Sequence, residues 1–280
     1  MKFIKRLIKV VLSSLVNATK STRATKFLYE KISTARWNSS ETISYKGTKI
    51  SFVNLNKITE YRISTFATKE PETLDWIEGF DHGEVFWDIG ANIGLYSCYA
   101  ALSRNCKVIA IEPSPFNLEL LARNINLNNL ASIVTVIPLA LSNELKRDTL
   151  RMSTLIHGEA MSTFGEDYDH LGLPMDVIFE YPTIGISMDD LIVNFGIQAP
   201  AHIKIDVDGI EHLILSGGES VLRVTKSLLV EVNDDFGFQA ERVAHLLTEA
   251  GFELKAKLHS DYFDYAENFT ATSFNQIWVK

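Results

Sequence analysis

From about residue 40 onward, hydrophobic and polar positions follow an order that can be read as elements. Residues 42–45 and 49–53 alternate apolar and polar around Lys46-Gly47, which predicts a β-hairpin. The segment KEPETLDWIEGF predicts a helix opening at Pro71, a favoured first helical position. Short apolar runs at 85–89, 107–111, 133–138, 202–207 and 228–232 then predict five strands. Helical patterns lie between or after them at LYSCYAALSR, at about 115–126, at 188–194, and at 239–250 before Gly251. The stretch 143–186 breaks this rhythm, with 149–153 strand-like and 161–173 irregular. Residues 252–258 and 274–280 predict a closing antiparallel pair. Strands alternating with helices imply right-handed βαβ units and an α/β fold with a mostly parallel sheet. No internal period of the kind that marks a solenoid is present.

Composition narrows the class. A chain of 280 residues with 46% hydrophobic and 22% charged positions, 15 Gly and 7 Pro is neither collagen-like nor wholly disordered. No apolar stretch reaches the roughly 18–20 residues of a membrane span. Cys98 and Cys106 are too few for a disulfide framework or a cysteine-rich zinc site, and are expected as small buried hydrophobes in a reducing cytoplasm. The net charge of −8 argues against a broad nucleic-acid surface.

The charge is unevenly placed. Residues 1–36 hold nine Lys/Arg against the single acid Glu30, leaving −16 on residues 37–280, 18 basic against 34 acidic. In MKFIKRLIKVVLSSLVN the apolar residues recur at helical spacing, with Lys2, Lys5, Arg6 and Lys9 on the other side. An amphipathic helix over residues 1–17 would lie on an anionic membrane. Docking on the protein's own acidic body or on a sister subunit is the alternative. A signal segment fits less well, because Lys9 interrupts the apolar run. The expected organisation is a basic arm (1–36) and one domain (37–280) with a hairpin lead-in (37–80) and an insertion (143–186).

In an open parallel sheet, ligands bind beyond the carboxyl ends of the strands, where strand order reverses. The polar residues ending the predicted strands are Asp88 with the 90–94 loop, Glu112, the 140–143 turn, Asp206 with Asp208, and Glu231 with Asn233. Gly90 and Gly94 allow close backbone approach at a helix N-terminus. Their spacing is G-x-x-x-G, not the G-x-G-x-x-G of dinucleotide enzymes. Glu112, some twenty residues on, suits a ribose diol, since one carboxylate accepts both hydroxyls. Together the loop and the acid predict an adenosine-bearing cofactor; a nicotinamide-dependent oxidoreductase is the competing reading.

Five ordered blocks, VFWDIGANIGLYSCYAA, VIAIEPSPFNLELLARNI, VIPLALSN, HIKIDVDGIEHLILSGG and SLLVEV, resemble the FkbM-type family of S-adenosylmethionine-dependent methyltransferases over roughly residues 60–235. The resemblance implies a class I methyltransferase, Rossmann-like fold: a seven-stranded sheet, mostly parallel with an antiparallel last strand, and helices on both faces. It implies S-adenosylmethionine as cofactor, with Asp88, Gly90, Asn92 and Gly94 at the methionine end. Glu112 would take the ribose hydroxyls, the turn ending at Ser142 would border the adenine, and Asp206 would sit below the transferring methyl. Asp208 and Ile210 depart from the family's common D-V-E-G-A-E block.

A hydroxyl acceptor must lose its proton near the transition state. Asp206, Asp208 and Glu211 are the candidate bases, with His212 weaker. Asp206 or Asp208 with Glu231, Asn233 or Asp234 would offer oxygen ligands to a divalent cation, although Asp234-Asp235 reads equally as a solvated helix start and no metal is expected. The D/N/S-P-P-Y/F/W signature of base-amine methylation is absent, so no nucleic-acid partner is expected. The resemblance implies an oxygen acceptor on a saccharide, glycan or glycolipid, or on a secondary metabolite. The insertion, with Met161, Phe164, Tyr168, His170, Phe179 and Tyr181, either covers the acceptor site or forms its own core. A non-catalytic cofactor-binding scaffold is the remaining alternative.

Overall fold

The computed structural model describes residues 13–14, 23–259 and 272–280. All but two residues of the segment read as a membrane-binding helix, 1–17, lie outside the described residues. The first described element is helix α1 (Arg23–Trp37), which buries none of its residues. At its end the Arg36 Nε donates to the Leu55 carbonyl at 2.6 Å, and Trp37 meets the His157 ring edge-on. The predicted hairpin follows as β1 (Ser40–Tyr45) and β2 (Thr48–Val53). Two helices come next, α2 (Lys57–Ser64), capped by the Asn56 side chain, and α3 (Pro71–Glu78).

The central sheet begins with β3 (Val85–Ile89), helix α4 (Leu95–Arg104), β4 (Lys107–Ile111), α5 (Pro115–Leu127) and β5 (Val134–Ile137). After the insertion come α6 (Met188–Phe195), β10 (His202–Ile205), α7 (Glu211–Ser216), α8 (Glu219–Val224), β11 (Ser227–Asn233), α9 (Gly237–Glu249), β12 (Glu253–Leu258) and β13 (Ser273–Val279). The seven strands are ordered β12-β13-β11-β10-β3-β4-β5. β13 runs antiparallel to both of its neighbours, while β11, β10, β3, β4 and β5 pair in parallel. The chain leaves β3 in one direction and returns on its other side at β10, so strand order reverses between them.

Because successive side chains point to opposite faces, each central strand feeds two cores. Trp87, Ile89, Ile109, Ile111, Ile203 and Ile205 pack against α6, α7, α8 and α9. Phe86, Val108 and Ala110 pack against α4, α5 and β2. Burial on both faces explains why these strands read as continuous apolar runs.

The insertion is more ordered than its sequence predicts. β6 (Ala140–Leu141), β7 (Lys146–Met152), β8 (Ser162–Phe164) and β9 (Phe179–Ile186) form a second sheet ordered β6-β9-β7-β8. Pro182 interrupts the strand pattern of β9, yet it lies beyond the two residues that pair with β6, at an edge position that tolerates a missing N–H. Gly185 is required there: a Cβ would stand 2.1 Å from the Phe164 ring.

Candidate active site

Functional side chains gather along the carboxyl edge of the central sheet. Glu112 follows β4, Gly90 and Asn92 follow β3, Asp206 and Asp208 follow β10, Glu231 lies in β11, and Ser273 and Asn275 open the antiparallel β13. With strands about 4.8 Å apart, β4 to β13 spans roughly 19 Å. A cavity of about 260 Å³ is lined by residues from all five of these strand ends and by the insertion.

Gly90 sets the closeness of the two halves. Its N–H and that of Ala91 both donate to the Ile111 carbonyl at 3.0 Å, and its φ is +83°. A Cβ at this position would lie 1.9 Å from the Asp206 carbonyl oxygen. Gly90→Ala is therefore expected to destabilise the fold by more than about 3 kcal/mol, a Tm loss of roughly 6–12 °C by calorimetry. An unchanged Tm would show that the β3 and β10 loops are not in backbone contact.

Glu112 is buried, and both of its oxygens are already oriented. Oε2 accepts the Asn92 N–H and Oε1 the Ser114 N–H, each at 2.8 Å. Asn92 reaches this position through a φ of +49°. Burial pushes the Glu112 carboxyl up to about 7 against the opposing pull of those two N–H groups, and the nearby Asp208 charge adds to the rise.

Asp206 belongs to a charged network. Its Oδ2 accepts from Lys204 Nζ at 2.6 Å, and it shares a hydrogen bond with Glu231. Burial alone would raise the Asp206 carboxyl, but Lys204, Glu231 and Lys69 outweigh it and hold the group far below its usual range. Glu231 goes the other way: burial first, then the Asp206 charge, raise it well above an ordinary carboxyl. Lys69 pairs with Glu70 at 2.8 Å. Arg62, Lys69, Glu70, Tyr96 and Lys204 line a smaller recess that opens beside Gly90 and Asp206.

Part of the insertion is strapped across the cavity. The Asn56, Arg62, Asn92 and Asn117 side chains donate to backbone carbonyls of residues 157–159, and the Gly158 N–H returns a bond to Asn117 Oδ1. Asp208, at φ +64°, accepts the Met161 N–H at 2.7 Å and the Ser162 N–H at 3.4 Å. Burial and the Asp206 charge raise its carboxyl, with these N–H groups opposing. His170 lines the cavity and lies within the electrostatic reach of Asp208; its Nδ1 is buried with no hydrogen-bond partner among the described residues.

Several sequence-predicted residues fall elsewhere. Glu211 is buried behind its own turn, accepting the Val207 and Gly209 N–H groups and the Gln239 amide, and does not line the cavity. It organises the 206–210 turn instead of facing a ligand. His212 lies against Phe238, away from the lining. Asp88 is buried beneath it, accepting from Ser97 Oγ at 2.5 Å, with burial raising its carboxyl. Gly94 faces Leu121, so its missing Cβ serves helix packing. Ser142 is fully buried, and Ala140 and Leu141 form that wall of the cavity. Among the described residues no three His, Cys, Asp or Glu side chains are placed to hold a metal. Asp234 is paired with Lys257 at 2.6 Å. Arg62, Lys69, Glu72, Ser273 and Asn275 line the cavity without any sequence signal that would have found them.

This strand order, with a reversal between the first and fourth central strands, a glycine turn and a buried carboxylate after the second, defines a Rossmann-like class I methyltransferase. Residues 88–254 match the Methyltransferase FkbM domain, and the chain belongs to that family of S-adenosylmethionine-dependent methyltransferases. Its relatives include the hexuronic acid methyltransferase AglP of Haloferax volcanii, 26% identical over 192 residues that cover 66% of this chain and 70% of AglP. The 31-O-demethyl-FK506 methyltransferase FkbM of Streptomyces tacrolimicus is 29% identical over 196 residues, covering 62% of this chain and 75% of that protein. Among solved structures, P. horikoshii TYW2 in complex with MeSAdo aligns with a TM-score of 0.45 at 13% identity, over 86% of this chain and 70% of that one. Membership of the family replaces the nicotinamide-dependent reading.

Proposed function

We propose that the protein methylates a hydroxyl on a saccharide, glycan or glycolipid, holding S-adenosylmethionine between Glu112 and Asp206. The observation that carries this reading is the continuity of the cavity from Glu112, past Asp206, to a polar end over β11 and β13. The cofactor supplies a methyl on a good sulfonium leaving group. The chain's residues position it, since an in-line displacement gains most from holding the reactants in near-attack geometry. Glu112 would accept the two ribose hydroxyls, and Ile111, Ala140, Leu141 and Leu150 would form an apolar wall for the adenine. Arg62 and Lys69, lining both the cavity and the recess beside Gly90, would hold the methionine carboxylate. Asp206, held ionised by Lys204 and Glu231, would present a fixed negative charge to the sulfonium.

Asp208 is the better proton acceptor, with its raised carboxyl beside His170. Asp88, Gly94 and Ser142 support the site from behind. AglP, named for a hexuronic acid, supports a saccharide acceptor, and the name of the Streptomyces relative supports the alternative of a secondary-metabolite hydroxyl. Transfer of tritium from S-[methyl-3H]adenosylmethionine to a panel of glycosides, and to none of a matched set of polyketide alcohols, is the expected result. The reverse pattern would reject the saccharide.

The basic arm is proposed to bring the enzyme to anionic membranes where lipid-linked glycans are exposed. Among the described residues no helix is long and apolar enough to cross a membrane. Deleting residues 1–36 is expected to abolish co-sedimentation with phosphatidylserine-containing vesicles while leaving affinity for S-adenosylhomocysteine unchanged. Vesicle binding that survives the deletion would remove this role.

A further inference from the structure

The charge at the far end of the cavity bears on which saccharide fits. This step rests on the saccharide reading above. If the cofactor occupies the edge from β4 to β10, the part of the cavity left beyond Asp206, over β11 and β13, is open to the acceptor ring, whose reacting hydroxyl would turn toward Asp208. That part is lined by Glu72 from α3, Glu231 from β11, His259 after β12, and Ser273 and Asn275 from β13. Asn275 Nδ2 donates to Glu72 Oε1 at 2.7 Å, joining two elements that are far apart in sequence. Asn233 Nδ2 donates to Ser273 Oγ at 3.1 Å, which leaves the serine hydroxyl hydrogen to be donated elsewhere.

Among the described residues, every lysine and arginine lining the cavity or its recess already has at least one partner. Lys204 is fully buried against Asp206, Lys69 is paired with Glu70, and Arg62 Nε is bonded to the Gly158 carbonyl. Arg62 and Lys69 also line the recess beside Gly90, at the methionine end. No lysine or arginine stands in the sequence between His259 and Ser273. The groups available to an acceptor over β11 and β13 are therefore carboxyl, amide and hydroxyl groups, with the His259 imidazole within electrostatic reach of Glu72. These suit ring hydroxyls, each of which donates and accepts. An acceptor carboxylate placed there would stand next to Glu72 and Asp206 and, among the described residues, would have to compete with Glu70 for Lys69 and with Glu72 for His259, so a poorly paired charge in a desolvated site is disfavoured.

We propose that the Glu72–Asn275 pair, with Ser273 and Glu231, forms an acceptor subsite for an uncharged polyhydroxylated ring, and that it rejects sugars bearing a carboxylate. Rejection through a poorly paired like charge is specificity by repulsion. It makes Glu72 a specificity-determining residue at the far side of the site from the cofactor.

The test uses the full-length enzyme and tritiated S-adenosylmethionine at neutral pH. The acceptors are the methyl glycosides of glucose, galactose and mannose, each paired with its uronide. For the series that is methylated, kcat/KM for the neutral glycoside is expected to exceed that for its uronide at least about tenfold. Glu72→Gln, which keeps an oxygen for Asn275 and removes the charge, should narrow that ratio several-fold. Asn275→Asp, which adds a charge, should widen it. Equal or better use of the uronide overturns the proposal while leaving the saccharide reading intact. A preference untouched by either variant overturns the assignment to Glu72 and Asn275. Failure to methylate any member, in a protein that still binds S-adenosylhomocysteine, rejects the saccharide reading itself, and this subsite with it.

Discussion

Glu112→Ala is expected to weaken S-adenosylhomocysteine binding by about 2–4 kcal/mol, or roughly 30- to 1,000-fold in Kd by titration calorimetry. The size of the loss follows from preorganisation. The Asn92 and Ser114 N–H groups each hold one carboxylate oxygen, fixing the plane of the group while leaving a lone pair on both oxygens. Two ribose hydroxyls donating to that carboxylate make charge-assisted bonds, and alanine removes both. The pH dependence follows from the same geometry. The free protein's carboxyl is pushed up to about 7 by burial, and the ribose hydroxyls favour its ionised form. Affinity should thus be full above about pH 7 and fall by up to tenfold per pH unit as the pH drops below it. Glu112→Gln, which cannot titrate, should bind weakly with no such slope. Unchanged affinity in Glu112→Ala would show that the ribose lies elsewhere.

How much of this was legible beforehand depended on whether a signal was local. β3 and β4 take the bounds predicted for them, because strands buried on both faces are apolar throughout and each is stopped by a polar residue or glycine. The antiparallel closing pair was legible for a different reason, since β12 is largely exposed and its polar and apolar residues alternate along Glu253–Leu258. β8 and β9 were not, since a strand holding Pro182 and Gly185 owes its existence to β7 and to the Phe164 ring, neither of which is near in sequence. In the site, the backbone turn at Gly90 and the acid at Glu112 were readable because turn chemistry and strand ends are local features. The direction of a side chain is not. Glu211 and Asp208 are three residues apart, yet one folds back onto Val207 and Gly209 while the other reaches the insertion. Arg62, Lys69 and Glu72 lie far in sequence from the strand ends, and only the packing of α2 and α3 against the sheet edge brings them to the cavity.

Asp208→Asn is expected to lower kcat by about 10²- to 10⁴-fold, the usual worth of a positioned general base, measured with whichever acceptor the transfer assay identifies. The substitution isolates the proton. Asparagine tolerates the positive φ that position 208 adopts, and its amide oxygen still accepts the Met161 N–H, so the strap over the cavity stays in place. What it cannot do is take a proton from the acceptor. Affinity for S-adenosylhomocysteine should hold or rise slightly below neutral pH, because removing the Asp208 charge removes one of the influences that raise Glu112. Glu211→Gln supplies the contrast: its carboxylate serves the Val207 and Gly209 N–H groups, so its loss should appear in thermal stability, with kcat falling far less. If Asp208→Asn retains wild-type kcat while Glu211→Gln does not, the proton leaves by another route and the turn after β10 has been assigned the wrong way round. If both retain it, His170 becomes the residue to replace, since it shares the cavity with Asp208 and carries the buried unpartnered nitrogen.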